Sequence, residues 1–159
     1  MKKTFSTICL LIVVSCSPPL EVPINKLVER QELTFQINSE KPFTGTSVEY
    51  FIDTIIKDEF EDRVLWKRTT YKDGVLNGLF ESFHPNGQLE FRGHYKNDKL
   101  EGLQEEFFEN GQLKEKKTHE DGELEGLQEE FYEDGQPKHR KNYKNGNPEG
   151  LQEEFFENG

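Results

Sequence analysis

Leu100-Glu101-Gly102-Leu103-Gln104-Glu105-Glu106-Phe107 returns as Leu124-Glu125-Gly126-Leu127-Gln128-Glu129-Glu130-Phe131, and with proline in front as Pro148 to Phe155. A looser copy stands upstream at Leu76-Asn77-Gly78-Leu79-Phe80-Glu81-Ser82-Phe83. The glycines at 78, 102, 126 and 150 set a period of 24 residues. Each copy runs into a turn pair: Asn86-Gly87, Asn110-Gly111, Asp134-Gly135 or Asn158-Gly159. A second turn pair closes the return strand at Asp73-Gly74, Asn97-Asp98, Asp121-Gly122 and Asn145-Gly146. Such pairs favour type I′ turns, in which both central residues take positive φ. Two turns per period mean two strands per period. The chain is therefore expected to be all-β, an elongated antiparallel meander of tandem β-hairpin repeats of about 24 residues.

Working outward, residues 42–75 read as a degenerate first unit, followed by repeats at 76–99, 100–123, 124–147 and a partial one at 148–159. Phe43-Thr44-Gly45 matches the start of a unit, and Tyr71 shares a column with Tyr95 and Tyr143. Between them, Ile52 to Arg63 replaces a short turn and lengthens the first hairpin tip. Residues 26–41 are expected to form a capping hairpin from Leu27-Val28-Glu29-Arg30 and Leu33-Thr34-Phe35-Gln36.

Two-residue turns fix the register. Phe108 is expected opposite Leu113, Tyr132 opposite Pro137, Tyr95 opposite Leu100 and Tyr143 opposite Pro148. One face then gathers Leu100, Gly102, Phe108 and Leu113 with Phe91 and Tyr95, and the strand glycine offers bare backbone for a ring to lie on. The other face carries Glu81, Glu105, Glu129 and Glu153, with Arg92, Lys116 and Arg140 across from the first three. Lys114 and Lys138 are expected across the next boundary from Glu129 and Glu153. Leu103 and Phe107 share this face, which is either a partner surface or a second, thinner packing layer.

The Gly-Leu-x-Glu-x-Phe, Asn-Gly, Gln-Leu and Tyr-Lys-Asn-Gly series over residues 42–159 resembles the MORN repeat in its bacterial variant form. The variant is typical of proteins catalogued as antitoxin-like, often called the YwqK type, and many of them open with Pro-Phe-Thr-Gly, as here at Pro42 to Gly45. The resemblance implies a repeat protein and suggests toxin neutralisation or immunity as an alternative role.

Composition bounds the rest. Hydrophobic and charged residues each make up 32%, well below the usual apolar share, so a thick core is excluded. Aromatics at 12% recur at fixed spacing, which argues for a thin ordered sheet rather than disorder. Removing Lys2 and Lys3 with the export segment takes the formal charge from −11 to −13. Such acidity repels phosphate backbones, so nucleic acid is not an expected partner.

That export segment is residues 1–15: Met1-Lys2-Lys3, then the apolar run Ile8 to Val14, too short to span a bilayer. Val13-Val14-Ser15-Cys16 resembles the lipobox of bacterial lipoproteins, which implies acylation of Cys16 and a bilayer as its first partner. Residues 16–25, with Pro18, Pro19 and Pro23, read as a tether. A membrane lipoprotein is expected, and outer-membrane placement is favoured in a Gram-negative cell because Ser17, not Asp, follows the cysteine. Cys9 and Cys16 are the only cysteines, leaving none for a disulfide staple, a thiolate metal site or a nucleophile in the array.

Candidate chemistry is sparse. Glu105 and Glu106 are neighbours in a strand and point to opposite faces, so they do not form a catalytic pair. Glu106 faces Glu115, but the equivalent pairs are Glu130 with His139 and Ser82 with Phe91. His84, His94, His119 and His139 fall at different positions in their units and are expected on the surface. No cofactor or metal is expected and no enzyme, but an unidentified protein partner is. Ile52, Ile55, Ile56 and Phe60 in the extended tip, with Trp66 behind it, are the expected contact residues. Trp66 is either core or an exposed anchor. The strand Leu151 to Phe156 is expected to expose an edge open to self-association.

Overall fold

A computed structural model describes residues 21–51 and 64–157. It is nearly all β, one long sheet of mostly antiparallel strands carrying tandem hairpin repeats, with a separate two-stranded sheet near the N-terminus. Before the repeats come β1 (Glu21–Pro23), one 3-10 turn (Ile24–Lys26), β2 (Leu27–Arg30), β3 (Leu33–Gln36) and β4 (Gly45–Tyr50). The outgoing strands that follow are β6 (Val75–Phe83), β8–β9 (Lys99–Leu100, Gly102–Phe107), β11–β12 (Glu123–Leu124, Gly126–Phe131) and β14 (Asn147–Glu154). Interleaved with them are the return strands β5 (Leu65–Lys72), β7 (Leu89–Lys96), β10 (Leu113–Glu120) and β13 (Pro137–Lys144). Strand β1 runs parallel to β4 and covers that edge. The β2–β3 hairpin docks on the first I′ turn, where the Thr34 amide donates to the Gly74 carbonyl at 2.8 Å.

The return-strand turns are type I′ as expected: Asp73, Asn97, Asp121 and Asn145 have φ near +50°, and the residue after each is also positive. The Asn-Gly turns are different. Gly111 at φ +82° is positive but Asn110 is not, and the Gly111 amide donates to the Phe108 carbonyl at 2.9 Å. This is a type I turn closed by a left-handed glycine, one residue longer than type I′. Asn110 stays right-handed because its Oδ1 accepts from the Gln112 amide at 2.9 Å.

The longer turn corrects the register. Phe107, not Phe108, pairs with Leu113, and Phe131, not Tyr132, pairs with Pro137. One extra residue then bulges from the return strand, Lys114 between Leu113 and Glu115. The same bulge falls at Trp66, Glu90 and Lys138, a column of 24-residue spacing. Past the bulge the pairs return to those anticipated: Glu105 with Lys116, Glu106 with Glu115, Glu129 with Arg140. Leu113 moves to the Glu105 face.

A second bulge explains the strand glycines. Tyr95 pairs with Leu100 but Arg92 with Glu105, so two additional residues lie on the outgoing side. Gly102, Gly126 and Gly150 sit there at φ +79°, +77° and +76°. Nothing stands within 4 Å of where their Cβ would be. The glycines are therefore required by backbone conformation, not by a ring lying on them. Gly93 is the glycine a ring approaches: a Cβ there would meet the Phe91 ring and Leu100 at 3.1 Å. The glycine bulge also moves the second cation contact. Lys116 and Arg140, not Lys114 and Lys138, face Glu129 and Glu153.

With one layer, the core is small. Val22, Phe43 and Val48 are the buried apolar residues of the described part, Val22 and Val48 at the β1–β4 pairing and Phe43 against Tyr71. Cohesion along the array comes from turn-to-turn hydrogen bonds. Asn86 Nδ2 donates to the Glu109 carbonyl at 2.7 Å and Asn110 Nδ2 to Glu133 at 3.1 Å. At the other edge the Asp98, Gly122 and Gly146 amides donate to Leu76, Leu100 and Leu124 at 2.9–3.0 Å.

Candidate interaction surface

The sheet presents two faces of different chemistry. On the ladder face, each buried glutamate bridges two cations. Glu81, 6% exposed, accepts from Arg68 at 3.1 Å and Arg92 at 3.2 Å. Two repeats on, Glu129 accepts from Lys116 at 2.6 Å and Arg140 at 3.0 Å. These bonds hold the Glu129 carboxyl below its ordinary value, the Lys116 bond contributing most. Arg68 also reaches Glu21 at 3.4 Å, tying β1 into the ladder.

Stripes flank the ladder. Leu103, Leu127 and Leu151 share a face with Glu105, Glu129 and Glu153, two residues along each strand. They are 50%, 45% and 74% exposed. On the other side run Phe107, Phe131 and Phe155, with Lys116 6.0 Å from the Phe131 ring and Arg140 5.4 Å from the Phe155 ring. Among the described residues no second layer packs on this face.

The opposite face changes along the array. Its first half is aromatic. Phe80 meets Phe91 edge-on at 5.5 Å and Tyr95 at 5.8 Å, and Phe43 meets Tyr71 at 5.9 Å. Burial raises both tyrosine hydroxyl pKa values above 10.0. Its second half is polar. Glu106, Glu115 and Glu130 stand in one row across β9, β10 and β12. Lys117 meets Glu115 at 2.7 Å, and Gln128 also donates to Glu115. Glu130 is held at 2.6 Å by Lys138 and at 2.9 Å by His139, which lowers its pKa, the Lys138 bond leading. Three carboxylates in a row are thus locked by lysines, glutamine and histidine, an arrangement that holds register. Glu90, Lys114 and Lys138 reach this face because the bulge turns them onto it. Their alternation gave no sign of that, since both faces are part polar.

Where the two halves meet, a groove of about 430 Å³ opens, lined by the rings of Phe80, Phe91 and Tyr95 together with Ser82, His84, Glu90, Glu106 and Lys114. A smaller hollow of about 190 Å³ lies over Thr69 and Tyr71.

Of the residues singled out from sequence, Cys16, Ile52, Ile55, Ile56 and Phe60 lie outside the described part. Trp66 is 38% exposed, with Phe51 5.8 Å from its ring and Lys67 Nζ 4.5 Å above it. That decides against core and for an accessible aromatic. The histidines differ from expectation at one position: His119 is 8% exposed, opposite Gly102 and Leu124. Burial lowers its pKa, aided by Lys117. Among the described residues no group of three or more His, Cys, Asp or Glu converges as a metal site would.

Residues 76–97, 100–121 and 124–145 each match the MORN repeat variant. No curated protein matches the chain. Repeats of this kind generally serve interaction with proteins or membranes.

Proposed function

We propose that this run of three MORN repeat variants works as a non-enzymatic protein-interaction scaffold of the bacterial cell envelope, held on a membrane through acylated Cys16. The observation that carries the reading is the row of exposed leucines, Leu103, Leu127 and Leu151, repeating on one solvated face beside the paired charges. Alternate strands lie about 9–10 Å apart, so the row is an evenly spaced apolar comb. A regular apolar comb left in water has a cost that binding a partner removes. The charged ladder beside it fixes the sheet and supplies a polar rim. Trp66 and the tip carrying Ile52, Ile55, Ile56 and Phe60 add a second contact at the start of the array. Outer-membrane placement in a Gram-negative cell follows from Ser17 after the lipidated cysteine.

The test is capture from solubilised envelope with the wild type, a Leu103→Lys/Leu127→Lys variant and a tip deletion. The scaffold reading expects a partner retained by the wild type and lost with the leucines. Equal capture by both would overturn the role of the comb. [³H]Palmitate incorporation abolished by Cys16→Ala is the expected result for the anchor.

An antitoxin or immunity role is the second reading, favoured by the −13 charge of the mature chain, which suits masking a basic toxin. It expects a growth defect on deleting the gene while its neighbours remain. Normal growth would exclude it.

A further inference from the structure

We infer that the groove between the aromatic and polar halves of the second face receives an arginine side chain of a protein partner. The inference rests on the scaffold reading and names the chemistry of one contact within it.

Three observations converge. The first is the aromatic wall. Phe80, Phe91 and Tyr95 pack edge-on and all three line the groove, and a ring face carries the negative potential that attracts a cation. The second is the charge across from it. Glu90 and Glu106 line the same space. Glu106 is partly compensated by Lys114 at 3.7 Å and Lys117 at 3.9 Å. Glu90 is exposed and accepts only the Ser82 hydroxyl, at 2.9 Å, with no ion pair among the described residues. Lys114 also lines the groove but pairs with Glu106, so Glu90 stands there without an ion pair, whereas Glu81, Glu115, Glu129 and Glu130 each have one or more.

The third is how the carboxylate is held. The bulge at Glu90 turns its side chain onto this face, and Ser82, 9% exposed, fixes one oxygen. The other oxygen remains free to accept. At the equivalent bulges Lys114 and Lys138 bring their own cation to Glu106 and Glu130. At Glu90 the sign is reversed: it is the one carboxylate in the column, and the lysine that lines the groove beside it, Lys114, is engaged with Glu106. The adjoining Trp66 bulge carries no charge.

Arginine fits this wall better than lysine. A planar guanidinium stacks on a ring face and still directs N–H groups in its plane to two carboxylates. A space of about 430 Å³ takes a whole side chain and the backbone that carries it.

The test is titration of the purified full chain with N-acetyl-arginine amide, followed by NMR of the Gly93 amide and the Phe91 and Tyr95 rings. Saturable shifts at these sites are expected. Glu90→Gln should weaken binding about tenfold or more, the scale of a lost charged hydrogen bond. Glu120→Gln, an exposed carboxylate away from the groove, should leave it unchanged. N-acetyl-lysine amide should bind more weakly. Overlapping spectra of the variants away from the groove show that they are folded. Absent shifts, shifts spread equally over all carboxylates, no effect of Glu90→Gln, or lysine amide binding as tightly would each overturn the inference. A chain that binds arginine amide but captures no envelope protein would instead sink the scaffold reading alone.

Discussion

Gly74 and Thr34 meet backbone to backbone: the Thr34 amide donates to the Gly74 carbonyl at 2.8 Å, and a Cβ on residue 74 would lie 3.0 Å from the Thr34 carbonyl oxygen. The same Cβ would meet Leu33 and Pro42 at 3.1 Å. This contact joins the N-terminal hairpin to the first repeat.

Gly74→Ala therefore combines a left-handed φ of +86° with a clash against backbone that has little room to move. Gly102→Ala has the φ penalty, at +79°, but open space. We expect the first to cost about 2–4 kcal/mol and the second about 1–2 kcal/mol. Urea denaturation of the two variants gives the comparison, and equal costs would refute the role of the hairpin contact.

Glu129 connects Lys116 to Arg140 from a nearly buried position. Its two cations are about 40% exposed, so Glu129→Gln should cost only about 1 kcal/mol near neutrality. The sign with pH follows from its lowered pKa. The contribution is full above the ordinary carboxyl value of 4.5 and is lost as pH falls through the depressed folded value. Wild type should lose stability across that acid interval more steeply than Glu129→Gln, measured as urea midpoints against pH.

His119 makes a separate prediction at milder pH. It is buried and its folded pKa lies below 6.5, so the unfolded chain binds the proton more readily. Stability should be full above 6.5 and fall as pH drops towards the folded value. His119→Gln should flatten that part of the profile. Thermal melts through the interval decide it.

Asp134 occupies the turn position that Asn86 and Asn110 hold in earlier repeats. Its Oδ1 makes the same bond to the amide two residues on, at 2.9 Å. It has no Nδ2 to reach the next turn, as Asn86 reaches Glu109 and Asn110 reaches Glu133. Asp134→Asn should supply the missing donor to the Glu157 carbonyl and stabilise by about 0.5–1 kcal/mol. A melting temperature unchanged or lowered would show that the turn-to-turn bond contributes nothing there.

The meander, its period and the ladder pairs were legible because they depend on repetition and on side-chain alternation. Glu105 with Lys116 follows from counting alone. The pairing of Phe107 with Leu113 did not, because Asn-Gly serves two turns of different length. What separates them is whether Asn is left-handed, as at Asn145, or uses its own side chain to hold the amide two residues on, as at Asn110. The signal that was available is the neighbour: Gln follows Asn-Gly at 88 and 112 and follows Asp-Gly at 136, whereas Lys follows Asn97-Asp98. The groove was hidden for a related reason. Its key carboxylate, Glu90, reaches that face only through a bulge, and a bulge leaves no mark on a sheet whose two faces are both mixed. Trp66 was singled out by its place on the return strand behind the extended tip, a position that needs no exact register.

The turn-to-turn hydrogen bonds have a consequence for how such a chain changes length. Each unit meets its neighbours through the same amides and carbonyls, at intervals fixed by the period. A duplication or loss of 24 residues joins turn to turn and strand to strand with every face preserved. A change of 23 or 25 would place each later carboxylate on the side of the rings. Outside the hairpin tips, where the first unit carries its added residues, the fold therefore tolerates growth only in whole steps, and its history is expected to be written in multiples.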